Sequence, residues 1–299
     1  MKKLAFLGNF TIDLIVKEFE KLRIDTENYV AGYNQYTIEI INENSGLYKY
    51  NPDFVIIILD GNSLFHNRDI EDIKSEIAKL YDFIVQKTKA YFLISNIILE
   101  PEINSIFSYN KKNNLKQLQN EFNLYLNQLA NEEEKVFIID IQSIIEGHGY
   151  NSLYDENLWV YGKIRFNKKG NKLIARKLSN LLSAILNQTK KCLVLDLDNT
   201  LWGGIIGDDG MNGIQLGGND IGGIYQLFQR NIKKIKDKGI LLAICSKNEY
   251  SIVQEVFDNH PNMELNLDDF IIKKVNWKPK HQNIKEIASE LNIGEDSLV

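Results

Sequence analysis

Cys192-Leu193-Val194-Leu195-Asp196-Leu197-Asp198-Asn199-Thr200-Leu201-Trp202-Gly203-Gly204 is the stretch that decides how this chain folds and what chemistry it can carry. An apolar run with a β-branched residue delivers two carboxylates, spaced i and i+2, at its end. On a strand that spacing turns both side chains to one face. If the strand ends there, both reach over the carboxyl edge of the sheet, where open α/β sheets bind ligands. Two like charges so close need a cation, or one must hold a proton. A Mg²⁺-dependent phosphoryl-transfer site meets either need. The plainer reading is an acidic strand end facing solvent, but it gives no reason for Asn-Thr and then Trp-Gly-Gly to follow at once.

Outward from that run, strand and helix patterns alternate. Residues 192–198, 240–246 and 270–275 read as strands. Residues 221–238, 250–257 and 280–291 read as helices, the first ended by Gly239. Residues 208–220 are crowded with glycine and polar side chains, which predicts a small flap. Upstream, residues 4–7, 54–60, 91–95 and 136–140 are short apolar runs of the kind buried parallel strands need. Residues 11–22, 69–87, 115–130 and 168–186 carry apolar side chains at helical spacing. The alternation predicts an α/β chain of two doubly wound parallel-sheet domains. The polar stretch Asn187-Gln188-Thr189-Lys190 sets the expected boundary, giving domains 1–188 and 189–299.

Composition narrows the function classes. With 299 residues, 44% hydrophobic and 25% charged, the chain can bury two cores. A net charge of −5 argues against nucleic acid or an anionic membrane as partner. No apolar run reaches membrane-spanning length, and the run after Met1-Lys2-Lys3 stops at Leu7 with no cleavage site, so a cytoplasmic protein is expected. Cys192 and Cys245 lie in strand-like runs and read as buried small hydrophobes, not a disulfide.

Asp196-Leu197-Asp198-Asn199-Thr200 resembles the first motif of the haloacid-dehalogenase (HAD) superfamily of phosphohydrolases and phosphotransferases. Leu201-Trp202-Gly203-Gly204, Gly207-Asp208-Asp209-Gly210, Cys245-Ser246-Lys247-Asn248 and Asn276-Trp277-Lys278-Pro279-Lys280 extend the likeness, and the region from Lys191 to Val299 looks like the FkbH-like subgroup. That resemblance implies a HAD Rossmann-like fold with a minimal cap, and the handling of a glyceryl phosphate for loading onto acyl carrier proteins. Asp196 would be the nucleophile that forms an aspartyl-phosphate, and Asp198 the acid–base group. The Asp196 carboxylate and the Asp198 backbone carbonyl would hold Mg²⁺. Ser246 is expected to hold phosphoryl oxygens, and Thr200 to fix the motif turn at the phosphate. A lysine must also neutralise the developing charge. Lys280 follows the subgroup's pattern and Lys278 the wider superfamily's Lys-Pro; Lys280 is preferred. Trp202 is expected to pack under the flap, and Asp208 and Asp209 to lie in a surface turn. HAD enzymes carry a fourth, acidic motif, yet no acidic pair follows Ser297-Leu298-Val299. The expectation is a truncated chain with an unpaired fourth strand, a weakened metal site and little activity.

The first half resembles SGNH-type hydrolases in short blocks. Gly8-Asn9-Phe10-Thr11 stands at their nucleophile turn, Gly61-Asn62 at their oxyanion asparagine, and Arg165-Phe166-Asn167-Lys168-Lys169-Gly170 at their histidine block. Phe10 replaces the serine and Arg165 the histidine, so acyl transfer lacks both nucleophile and base. Thr11 as a shifted nucleophile lacks a histidine near the right position. His66 and His148 read as exposed loop residues. The expected domain is SGNH/flavodoxin-like without hydrolase activity, a docking surface for a carrier protein or a lid over the neighbouring site.

Three functions follow from these readings. The first is an FkbH-like phosphoryl/glyceryl transferase-phosphatase that loads a glyceryl unit from 1,3-bisphosphoglycerate onto an acyl carrier protein. Its thioester step lacks a clear cysteine, Cys245 beside Ser246 being the nearer candidate. The second is a phosphatase for a small metabolite or sugar phosphate. The third is a non-enzymatic binding module with an incomplete metal site.

Overall fold

The computed structural model describes residues 1–22, 24–100 and 115–299. The backbone separates into two compact units, Met1–Ile185 and Leu186–Val299, and each is a doubly wound parallel α/β layer. Among the described residues no helix is long and apolar enough to cross a membrane.

The first unit contains β1 (Lys2–Gly8), β2 (Thr26–Val30), β3 (Phe54–Ile58), β4 (Tyr91–Ser95) and β5 (Val136–Ile139). Their order is β2-β1-β3-β4-β5, all pairs parallel. Helices cover both faces, so the central strands must be apolar throughout. Leu7, Ile57 and Ile94 pack with Ile77 and Ile84 of the Ile70–Lys87 helix and Phe122 of the Leu115–Glu132 helix. Alternate residues turn the other way, and Phe6 meets Phe19 of the Asp13–Glu20 helix edge to face at 5.7 Å. Each such buried side chain contributes about 1.5–3 kcal/mol. Asp69 caps the Ile70–Lys87 helix by accepting from Glu71 N at 2.8 Å. β2 is missing from the sequence-based reading. As an edge strand it needs no unbroken apolar run, and none of its five residues is buried.

The second unit contains β6 (Cys192–Leu195), β7 (Leu241–Ser246) and β8 (Ile272–Val275), parallel and in that order. The Ile221–Asp237, Tyr250–Asn259 and Lys280–Glu290 helices pack around them. The first of these is followed by Gly239 at φ +90°, a conformation that favours glycine. Residues 205–220 form the small flap: a short helix, Ile206–Asp209, then turns tied back by a Gly203–Gln215 bridge. Asp208 and Asp209 are exposed at the end of that short helix.

Two expectations are corrected here. The last apolar run is not unpaired: Val194 N donates to Val299 O at 2.8 Å, and Val299 N to Cys192 O at 3.0 Å. The outer edge of β6 thereby satisfies backbone groups that burial would otherwise leave costly. In addition, β6 stops at Leu195, so Asp196 and Asp198 lie beyond the strand and do not share its pleat. Asn199, at φ +54°, turns the chain out of extended geometry immediately afterwards.

Candidate active site

The carboxyl edge of the second sheet gathers residues that are far apart in sequence. Leu195 pairs with Ile244, so the residues just past β6 meet the end of β7. Ser246 Oγ donates to Asp196 Oδ1 at 2.6 Å, and Leu197 N donates to the same oxygen at 2.9 Å. Lys280, first residue of its helix, brings Nζ to 2.5 Å from Asp196 Oδ2. Partial burial by itself would push the Asp196 carboxyl up. The hydrogen bonds from Lys280 and Ser246 outweigh it and hold the group below its ordinary value.

Asp198 is held by three N–H donors. Trp202 Nε1 and Ile206 N each donate to Oδ1 at 3.0 Å, and Asn248 Nδ2 donates to Oδ2 at 2.9 Å. Asn248 Nδ2 also lies 3.2 Å from Ser246 Oγ. A hydrogen-bonded chain therefore runs Asp196–Ser246–Asn248–Asp198 and fixes the two carboxylates relative to each other. Trp202 is fully buried, edge-on to Phe257 at 6.1 Å, so its ring packs in the core while its N–H orients Asp198. The two glycines after it have geometric reasons. Gly204 sits at φ +96°, and a Cβ there would stand 2.6 Å from Asp209 Oδ2, the atom that accepts from Ile205 N. A Cβ on Gly203 would meet the Tyr225 ring at 2.8 Å.

Of the residues singled out in the sequence, Asp196, Asp198, Ser246 and Lys280 come together. Lys278 turns away, with Nζ donating to Glu286 Oε1 at 3.1 Å. Thr200 lies in the turn, its N–H donating to Leu197 O at 3.1 Å, and its hydroxyl takes no partner among the described residues. Asn248, at the end of the Cys245–Asn248 motif, joins them through its bonds to Asp198 and Ser246. Its only signal is a polar side chain two residues past the end of β7. Cys245 is buried with Sγ 3.8 Å from Lys280 O. Burial pushes both the Cys192 and the Cys245 thiols up, so neither is poised as a thiolate.

Among the described residues no group of three or more His, Cys, Asp or Glu side chains is placed to hold a metal ion. Asp196 and Asp198 are nonetheless hard oxygen donors. They suit Mg²⁺, which keeps several waters and takes only one or two carboxylates.

The carboxyl edge of the first sheet is built differently. Phe10 is buried against Phe166, the rings 5.8 Å apart, and Thr11 Oγ1 donates to Gly162 O at 2.8 Å. Arg165 Nε lies 2.7 Å from Asp60 Oδ1, with the guanidinium 5.0 Å from the ring centroids of both Tyr154 and Trp159. Asn9 and Asp60 lock the ends of β1 and β3 together through bonds of 2.9 and 2.7 Å. His66 and His148 are exposed, although His148 closes the Ile141–His148 helix and does not lie in a loop.

The chain is similar to the crystal structure of the N-terminal part of the protein BF1531 from Bacteroides fragilis, described as containing a phosphatase domain complexed with Mg. The two share 29% identity and a TM-score of 0.86, over 99% of this chain and 82% of that one. Esterase EstA from Pseudoalteromonas sp. aligns with 62% of this chain and 100% of its own, at 14% identity and a TM-score of 0.46. A lipolytic protein of the G-D-S-L family from Veillonella parvula aligns with 60% of this chain and 98% of its own, at 16% identity and a TM-score of 0.42. No curated protein sequence matches. Residues 15–180 match the family described as FkbH, N-terminal domain. That match spans more than half of the chain, which therefore belongs to the FkbH family.

Proposed function

We propose that this chain is a Mg²⁺-dependent HAD-type phosphatase or phosphotransferase working through an aspartyl-phosphate on Asp196. Family membership and likeness to a Mg-bound phosphatase-domain fragment support a phosphatase-like activity. The observation that carries the residue roles is the convergence of Ser246 Oγ at 2.6 Å and Lys280 Nζ at 2.5 Å on the Asp196 carboxylate. Asp196 attacks phosphorus while the bond to the leaving oxygen breaks, and Asp198 protonates that oxygen. Asp198 then takes a proton from the water that attacks the phosphorylated carboxylate, which frees phosphate and restores Asp196. Its three N–H donors fix the orientation of the carboxylate for both halves. Lys280, Ser246 and Thr200 take the phosphoryl oxygens, and Lys280 offsets their developing charge. The Asp196 carboxylate and the Asp198 backbone carbonyl would hold Mg²⁺, which reduces repulsion between Asp196 and an anionic phosphate. Phosphate release from p-nitrophenyl phosphate with Mg²⁺ tests this reading. Asp196→Asn should abolish turnover while the melting temperature is kept, and a near-normal rate would refute the nucleophile.

The finer reading is that the cytoplasmic enzyme loads a glyceryl unit from 1,3-bisphosphoglycerate onto an acyl carrier protein. Both cysteines are buried, so the acceptor thiol is the carrier's own. Its thiolate attacks the acyl carbon, the adjoining phosphate leaves, and Asp196 removes the remaining phosphoryl group. Residues 1–188 serve as an SGNH-like domain that has lost nucleophile and base, since Phe10 and Arg165 occupy those places, and residues 189–299 carry the chemistry. Intact-mass analysis of a holo carrier incubated with 1,3-bisphosphoglycerate and enzyme should show the added glyceryl unit. An unmodified carrier alongside free phosphate would leave a phosphatase of small metabolites.

A further inference from the structure

Asn248 sits between two groups that accept from it. Its Nδ2 lies 2.9 Å from Asp198 Oδ2 and 3.2 Å from Ser246 Oγ. An ionised carboxylate has no hydrogen to give, so the NH2 end of the amide is the end that faces it. Ser246 commits its own hydrogen to Asp196 Oδ1 at 2.6 Å, so toward Asn248 it too presents a lone pair. Two acceptors call for two hydrogens on one atom. A side-chain amide provides them, whereas a serine or threonine hydroxyl has only one. Asn248 and Ser246 are 6% and 2% exposed, so little water competes for these bonds.

The lone pairs of Asp198 are filled unevenly. A carboxylate offers about four acceptor positions, two on each oxygen. On Oδ1 both are taken, by Trp202 Nε1 and Ile206 N, each at 3.0 Å. On Oδ2 the Asn248 amide takes one and, among the described residues, leaves the other open. That open position is where Asp198 can carry a proton without giving up a bond. The terminal torsion of an aspartate is soft, and two donors gathered on Oδ1 let the other oxygen swing. The Asn248 amide stops that swing. It reaches Asp198 from just past β7, the strand that also ends in Ser246, so one strand end sets both carboxylates.

We infer that Asn248 is a positioning residue for proton transfer, its amide aiming Asp198 so that Oδ2 is the oxygen that gives and takes the proton. The inference rests on the acid–base role proposed above for Asp198, and adds the atom that carries the proton and the residue that aims it. In the first half the leaving oxygen keeps the electrons of its broken bond to phosphorus and gains the hydrogen from Oδ2. In the second half Oδ2 takes a hydrogen from the attacking water. The test is kcat/KM of the full chain on two substrates of similar shape. The phenolate of p-nitrophenyl phosphate leaves without a proton, whereas the leaving oxygen of phenyl phosphate needs one. Asn248→Leu keeps much of the shape and removes both donors, and Asn248→Ala is the second variant. Each should lower the phenyl phosphate value about 10²-fold or more, and the p-nitrophenyl phosphate value about tenfold or less. The ratio of the two losses is the same whatever fraction of the enzyme is folded, so it separates a misaimed acid from a weakened fold. Equal losses on both substrates, or none, overturn the inference when Asp198→Asn keeps the unequal pattern, and the acid–base reading then stands. Equal losses in Asp198→Asn as well overturn both.

Discussion

Replacing Lys280 by methionine should separate catalysis from stability. Its Nζ lies 2.5 Å from Asp196 Oδ2, with the two side chains 44% and 35% exposed. An ion pair so open to water is worth about 0–1 kcal/mol to folding. The unfolding midpoint should therefore barely move. Under the proposed mechanism the same cation meets phosphoryl oxygens whose charge grows in the transition state. Loss of one such donor costs about 10²–10³ in kcat, or about 2.7–4 kcal/mol. Lys278→Met is the matched control, because Lys278 reaches Glu286 and not Asp196, and it should leave both rate and midpoint unchanged. The assay is steady-state phosphate release at saturating Mg²⁺, with thermal melts of each variant. A large loss in Lys278→Met beside a normal Lys280→Met would refute the reasoning. The Lys280–Asp196 contact would then be a surface ion pair with no part in the reaction.

Other changes test the supports of the two units. Trp202→Phe removes an N–H donor to Asp198 and opens space in the core, so chemical denaturation should show a loss of about 2–4 kcal/mol. A cost under about 1 kcal/mol would mean that the indole N–H does not hold Asp198. Arg165→Met strands the buried Asp60 carboxylate without its cation and should destabilise the first unit by about 3–5 kcal/mol; an unchanged midpoint would show the pair is dispensable. Asp196 and Asp269 both titrate below the ordinary carboxylate value, since hydrogen bonds from Lys280 and Lys236 respectively outweigh burial. Their stabilising effect is complete above the unfolded value of about 3.9 and is lost as pH falls through the lower folded values. Denaturation midpoints measured from neutral pH downward should decline in that acid window, and a flat profile would contradict it. Chelation of divalent cations should stop phosphate release and added Mg²⁺ restore it, whereas persistent release in chelator would remove the metal from the scheme.

Much of the fold is legible in the residues alone. β1, β3, β4 and β7 are buried on both faces, which forces unbroken apolar runs between helices of 3.6-residue period. The paired acids at 196 and 198 stand out through composition and spacing, glycines at 203 and 204 mark a turn where a Cβ would meet neighbouring atoms, and Gly239 marks a left-handed backbone position. β2 stays hidden because an edge strand half in solvent has no apolar pattern to show. The end of β6 is also invisible, since nothing in an apolar-acidic alternation says where pairing stops.

The sequence determines the local elements and the kinds of side chain at their ends, because burial and backbone preference act over a few neighbouring residues. Only the tertiary structure decides which of those ends meet. Lys280 reaches Asp196 across 84 positions, while Asn248 reaches Asp198 across 50. Sheet register and the start of the Lys280–Glu290 helix set those contacts. Two lysines separated by one proline therefore look alike in sequence and face different carboxylates in space.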